Sequence, residues 1–356
     1  MGRPVLIFSM SLIASLVLGL SAAEASRDSR GSTDSFWATC EYVKAAPAGP
    51  AGNFVLVRAG GESIILARSG RDLKVRAYDS YIGDDDLWMT DAGNLDCGIQ
   101  PTVFNIDRIE IRTPRDWNMG LVLDQRRGAF EPGATGEGKR SAIEIRMTGN
   151  PGGRKNASNL YYLGSPGPDV VRAVGDDGRL GLDMNGNGNG GPRDLEFAPT
   201  MRVRSLLVKM GRGDDYFSAA GIGIPRNRRP VKAIIYGNAG NDTLVGGPGQ
   251  DHFDGGYGRD RIRGMGGGDG GGGLDMNVSG GPGHDLIYGG PGNDVIGNSS
   301  GDPEPRGGDV IFGGPGRDSI LKRNGIRDRI NCGPDFELGV QYDAGLDFVK
   351  SCAGRY

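Results

Sequence analysis

Gly237–Val245 reads GNAGNDTLV, Gly246–Asp254 reads GGPGQDHFD and Gly255–Arg263 reads GGYGRDRIR. These three units abut without a gap, so Asp242, Asp251 and Asp260 fall nine residues apart. Each fits the template G-G-x-G-x-D-x-U-x, in which U is a large apolar residue. Gly264–Gly272 keeps the phase through Asp269 but carries Gly271 at the apolar position, and Asp285 follows Asp269 by 16 residues instead of 18. Gly280–Tyr288 (GGPGHDLIY), Gly289–Gly297 (GGPGNDVIG) and Gly313–Leu321 (GGPGRDSIL) restore the template. Between the last two, an insert at Asn298–Pro303 precedes Glu304–Phe312, which keeps only the second half of the pattern through Gly307, Asp309 and Ile311.

Each position of the template has a physical role. The first six residues form a tight turn that needs positive φ and close backbone approach, hence glycine. The aspartate aims a carboxylate into that turn. The last three residues form a short strand whose middle side chain alone points inward. The inward row is then Leu244, Phe253, Ile262, Ile287, Ile296, Ile311 and Ile320. Two nonapeptides make one coil, so turns two repeats apart stack on one edge. Such stacked carboxylates and glycine carbonyls suit calcium, a hard cation that takes six to eight oxygens. A metal-free solenoid whose aspartates merely cap turns would leave stacked like charges unbalanced.

This array resembles the RTX, or haemolysin-type, calcium-binding repeat family. The resemblance implies an all-β fold, a parallel β-roll or β-solenoid, with calcium between turns i and i+2. On that basis Asp242 pairs with Asp260, Asp251 with Asp269, Asp285 with Asp309 and Asp294 with Asp318, beside the carbonyls of Gly240, Gly249, Gly258, Gly283, Gly292 and Gly316. The array reads as two blocks with a weak joint at Gly270–Ser279, where calcium is most expected to be missing. The degenerate turns at Asp169 and Asp215 read as simple turn caps. Cys40, Cys97-Gly98 leading into Thr102–Ile111, and Gly128–Gly133 resemble the N-terminal part of secreted actinobacterial proteins with such repeats. Asp328–Gly333 through Ser351-Cys352 resembles their C-terminal cap. The chain departs from RTX toxins in having an N-terminal signal, no long apolar pore-forming region and no recognisable enzyme domain.

The N-terminus reads as a secretory signal peptide. Met1-Gly2-Arg3 is a short positive start, Val5 to Leu20 is apolar apart from three serines, and Ala23-Glu24-Ala25 sets a cleavage site before Ser26. Gly supplies 66 of 356 residues and hydrophobic residues only 37%, which suits a solenoid that buries thin rows better than a compact globule. The net charge of −3 offers no case for nucleic acid. No later segment reads as a bilayer span, so membrane insertion is not expected. Four cysteines fit an oxidising compartment. Of three connectivities, Cys40–Cys97 with Cys332–Cys352 is favoured, because it pairs sequence neighbours and staples each end. The second loop would contribute roughly 3 kcal/mol.

Short aliphatic runs begin at Phe54, Ser63, Leu73, Ile109, Leu121 and Ala142, separated by Gly, Asp, Asn and Pro. No window shows a helical period with caps. The expected organisation is a signal peptide (1–25), a β-rich, solenoid-like N-terminal region (26–160), degenerate solenoid repeats (161–236), calcium-binding repeats (237–321) and a C-terminal cap (322–356).

Other motifs carry less. Asp183-Met184-Asn185-Gly186-Asn187-Gly188 with Asp194 has EF-hand spacing but no flanking helix, and reads as an Asn/Gly-rich turn. Gly297–Gly301 matches G-x-S-x-G, yet the two histidines, His252 and His284, lie inside repeat turns. Asp84–Asp86 beside Trp88 reads as a solvated loop, and the sequons at Asn156, Asn277 and Asn298 matter only in a eukaryote. The expectation is a secreted, non-enzymatic calcium-binding β-solenoid. Two alternatives stand beside it. One is a calcium-stiffened adhesin or surface-layer protein with a cell-surface or matrix partner of unknown identity. The other is a secreted hydrolase with its site in 26–235, where Asp107, Glu110 and Asp116 offer carboxylates.

Overall fold

The computed structural model describes residues 37–44, 53–60, 63–82, 87–102, 106–113, 120–128, 130, 143–149, 157–175, 180–184, 194–198, 202–224, 230–270, 277–297 and 307–354. The signal-peptide residues, Asp84–Asp86, Asp116, Asn156, Asp275 and the insert 298–303 lie outside them. Among the described residues there are strands and turns and no helix, hence none long and apolar enough to cross a membrane.

The strands form two long sheets of 14 and 12 strands that face each other along the molecule. Through the array the chain alternates between them. Thr243–Val245, Arg261–Arg263, Leu286–Tyr288, Val310–Phe312, Arg329–Asn331 and Phe348–Lys350 pair in parallel in the first sheet. His252–Asp254, Val278–Ser279, Val295–Gly297, Ser319–Lys322 and Gly339–Tyr342 pair in parallel in the second. This is the parallel β-roll. It also extends upstream, because Gly120–Asp124, Ala157–Leu163, Arg202–Arg212 and Lys232–Ala239 stack in the same second sheet.

The register explains the stacking. One inward row passes through Leu66, Leu123, Tyr162, Val208, Ile235 and Phe253, each opposite the next. It continues through Val278, Ile296, Ile320 and Val340, and every member is buried. The inward residues read from the array sequence all belong to this row or to its counterpart Leu244–Ile262–Ile287–Ile311–Ile330. Val278 fills the rung for which Gly271 has no side chain, and it packs between Phe253 and Ile296. The joint therefore keeps its strand and its place in the row; residues 271–276 lie outside the described set.

The coils change width along the chain. Upstream strands such as Arg202–Arg212 place three inward residues, Leu206, Val208 and Met210, in the core, whereas each array strand places one. The N-terminal end closes with antiparallel pairs, Trp37–Val43 on Phe54–Gly60 and Ser63–Ser69 on Asp72–Ile82. Disulfides join Cys40 to Cys97 and Cys332 to Cys352, the favoured pairing, with Cα separations of 4.4 and 5.0 Å. Each staples one end of the solenoid, where exposed sheet edges would otherwise be open to pairing.

Ile296 has neighbours above and below in its row and none to spare sideways. Ile296→Ala is expected to cost about 2–5 kcal/mol, read by urea unfolding in excess calcium. Arg329→Ala, on an exposed outward position, should stay within about 0.5 kcal/mol.

Candidate metal centre

The aspartate that ends each turn precedes a strand, so parallel stacking of strands stacks the carboxylates. On the first edge the backbone N–H of Asp169 donates to Asp215 Oδ1, Asp215 to Asp242, Asp242 to Asp260 and Asp260 to Asp285. The chain of bonds continues from Asp285 to Asp309, Asp309 to Asp328 and Asp328 to Asp347, at 2.7–2.9 Å throughout. On the second edge Ala233 donates to Asp251 Oδ1, Asp251 to Asp269, Asp269 to Asp294, Asp294 to Asp318, and Asp318 to Glu337 Oε2. All four pairs read from the sequence are thus neighbours. The structure adds Asp260–Asp285 and Asp269–Asp294 across the joint, so neither column is broken there.

These bonds use one oxygen of each carboxylate. The second, Oδ2, is buried without a hydrogen-bond partner in Asp215, Asp242, Asp260, Asp269, Asp294, Asp318 and Asp328, as is Glu337 Oε1. Three rungs differ. Asp169 Oδ2 accepts the N–H of Ser165 at 2.6 Å, Asp251 Oδ2 that of Gly247 at 2.7 Å, and Asp347 Oδ2 that of Asp343 at 2.7 Å. Asp169 and Asp251 are the first rungs of their edges and Asp347 the last of its own, so spare amides satisfy three of the four column ends, and Glu337 at the fourth keeps a partnerless Oε1.

Glycines line the unsatisfied oxygen. A Cβ on Gly289 would stand 2.6 Å from Asp294 Oδ2 and 2.6 Å from the carbonyl oxygen of Gly313, inside contact distance of both. The same two oxygens, the unit's own Oδ2 and the first-position carbonyl one coil on, crowd Gly237, Gly246, Gly255, Gly264 and Gly313. The fourth-position glycines expected as carbonyl donors stack in columns. Gly240, Gly258 and Gly283 follow one another on the first edge, and Gly249, Gly267, Gly292 and Gly316 on the second, each backed by the previous carbonyl. Gly283 and Gly292 flank Oδ1 of Asp285 and Asp294. The first-position carbonyls escaped the sequence reading, since nothing in the template distinguishes one glycine carbonyl from another.

Burial raises these carboxyls. Asp269 is pushed up to about 9 by burial, offset by the Asp251 amide and reinforced by the charges of Asp251 and Asp294. Asp215, Asp260 and Asp294 are raised to about 7, and Asp242, Asp251, Asp318 and Asp328 to about 6, burial leading in every case. The cradle offers oxygen only: among the described residues no three His, Cys, Asp or Glu side chains converge on one point. One carboxylate oxygen plus backbone carbonyls per turn, repeated every coil, is a donor set for a hard divalent cation and a poor one for zinc or copper.

A family model of the RTX calcium-binding nonapeptide repeat matches this region in four copies, over residues 236–270, 269–302 and 306–321. The array is a run of RTX calcium-binding repeats. No curated protein and no solved structure matches the chain. The RTX match ends at Leu321 while the carboxylate columns run on to Asp328, Glu337 and Asp347. Those three rungs escaped the sequence reading because ten-residue spacing and a glutamate break the template. Of the degenerate turns, Asp169 caps its own turn as read, whereas Asp215 stands in the column with a buried Oδ2. The EF-hand-like segment is described only at its ends, where Asp194 accepts the N–H of Met184.

Each raised carboxyl holds its proton more tightly in the folded chain than in the unfolded one, where 3.8 applies. Its stabilising contribution is complete below pH 4 and is lost as the pH climbs through 6 to 9. The melting temperature of chelated protein should therefore fall between pH 4 and pH 8. Calcium affinity, which requires the deprotonated carboxylates, should rise over the same window. A chelated melting temperature that rises with pH in this range would contradict the assignment.

Proposed function

We propose that the protein is a secreted, non-catalytic calcium-binding solenoid whose RTX turns complete their folding when they meet extracellular calcium. The observation that carries this reading is the pair of columns of buried carboxylates, in which Asp215, Asp242, Asp260, Asp269, Asp294, Asp318 and Asp328 each have one oxygen lacking a proton donor. Oxygens of Asp242, Asp260, Asp269, Asp285, Asp294 and Asp318, with adjacent glycine carbonyls, would hold the ions. Bound calcium supplies the positive charge that buried carboxylates lack. The chain itself fixes the carboxylate spacing through the amide-to-Oδ1 bonds and keeps side chains out of the cradle with first-position glycines.

Free energy argues the same way. Without a cation the aspartates repel along each column, and the glycine turns carry a large ordering entropy. Calcium near millimolar outside a cell would fill sites with affinities on the order of 10⁻⁴–10⁻³ M. The signal-peptide pattern at the N-terminus supports export to that environment. Among the acids weighed for a hydrolase, Glu110 is held between Arg108 and Arg112 at 3.0 and 2.8 Å, an ion-pair arrangement on the sheet surface.

Adding calcium to chelated protein should increase β circular dichroism and raise the melting temperature. Asp260→Ala should weaken that response and lower the stoichiometry found by calorimetric titration. Asp124→Ala should leave it unchanged, because Asp124 is engaged locally by Arg126. Chelated protein that is indifferent to calcium sinks the reading.

A further inference from the structure

Eight described residues hold the first position of the turns that end in Asp242, Asp251, Asp260, Asp269, Asp285, Asp294, Asp318 and Asp328. Seven are Gly237, Gly246, Gly255, Gly264, Gly280, Gly289 and Gly313, and at each the unit's own Oδ2 crowds the place of a Cβ. The eighth is Lys322, which follows Leu321 as Gly313 follows Phe312, and opens the turn that ends in Asp328. Lys322 continues the inward alternation of Ser319–Lys322, two residues on from buried Ile320, and is itself 2% exposed. Its Nζ lies 2.8 Å from Asp309 Oδ2. That atom corresponds to the partnerless Oδ2 of Asp242, Asp260 and Asp328 on the same edge.

We propose that Lys322 is a tethered cation that takes the place of calcium at the step between Asp309 and Asp328, leaving that step charge-balanced without metal. The inference rests on the calcium reading of the other steps. An ammonium is a compact point charge with three donors, and a buried carboxylate needs either a proton, a metal or such a partner. The lysine stem stands at the turn position that glycine holds in the other units. A divalent ion at the same step would face both a steric block and a positive charge at contact range. The geometry thus divides the first edge into steps that wait for calcium and one that carries its own cation. That step adjoins the coil bearing Cys332, whose disulfide to Cys352 closes the C-terminal end.

Two measurements test this on the full mature chain. Hydrogen exchange needs no variant. In chelator, the amide of Asp309, which donates to Asp328 Oδ1, should remain protected while those of Asp242 and Asp269 lose protection and regain it with calcium. Equal loss at all three overturns the proposal. Calorimetric titration of Lys322→Gly, which restores the template glycine, should show one more calcium per chain than the unsubstituted protein, whereas Lys322→Arg should show no gain. An unchanged stoichiometry in a folded Lys322→Gly overturns it. If Lys322→Gly folds only when calcium is present, the proposal is supported; if it folds as well in chelator as the unsubstituted protein, the proposal fails. Unsubstituted protein that binds no calcium at all would instead remove the functional reading on which this one stands.

Discussion

A turn that stacks on its own repeat can offer each aspartate one amide from the neighbouring coil, and in this chain the amide belongs to the neighbouring aspartate. Oδ1 takes it, and Oδ2 is left facing glycine backbone with no donor in reach. Most other features of the array follow from that asymmetry. First-position glycine is required because Oδ2 and a carbonyl occupy the space of its Cβ. The turn length is fixed because the carboxylate must arrive beneath the next aspartate amide. A buried, half-satisfied carboxylate is costly in any fold, and here the cost repeats at every coil.

The taper of the core decides where that cost matters. Upstream coils bury several apolar residues per strand, including large ones such as Tyr162, Phe197 and Met210, and they carry few buried acids. An array coil buries two apolar side chains, for example Leu244 and Phe253, against the entropy of ordering about twelve glycine-rich turn residues, six in each nonapeptide. The N-terminal part can therefore be held by hydrophobic burial and its Cys40–Cys97 staple. The array has less apolar burial to hold it, and in the proposed reading its order is tied to neutralising the columns.

The nine-residue phase made the roll, its inward row and its paired aspartates legible in the sequence, because each is a strict consequence of periodicity. What periodicity could not convey was substitution of one route for another. Val278 supplies the inward residue that Gly271 lacks, seven positions late, and a sequence alignment of units has no term for that displacement. Glu337 reaches the position of an aspartate with one more methylene from a turn of different length. Asp328 and Asp347 sit at spacings of 19, so they lie outside the template although they are in register in space. Asp169 and Asp215 look alike as letters; Ser165, four residues before Asp169, is what distinguishes them by donating to one carboxylate and leaving the other open.

Departures from the template then share one physical sense. At three of the column ends, where a missing coil would strand a charge, Gly247 and Asp343 donate a second amide to Asp251 and Asp347, and Ser165 donates its amide and its hydroxyl to Asp169. Near the C-terminal end, where the repeats lose their phase, a lysine replaces the one glycine whose side chain could reach an unsatisfied oxygen. Most regular units leave an oxygen open, as do the irregular rungs Asp215, Asp328 and Glu337, whereas Asp169, Asp251, Asp309 and Asp347 are met by the chain's own donors. In the proposed reading, the rungs that neither a spare amide nor a lysine meets are the ones that wait for an ion.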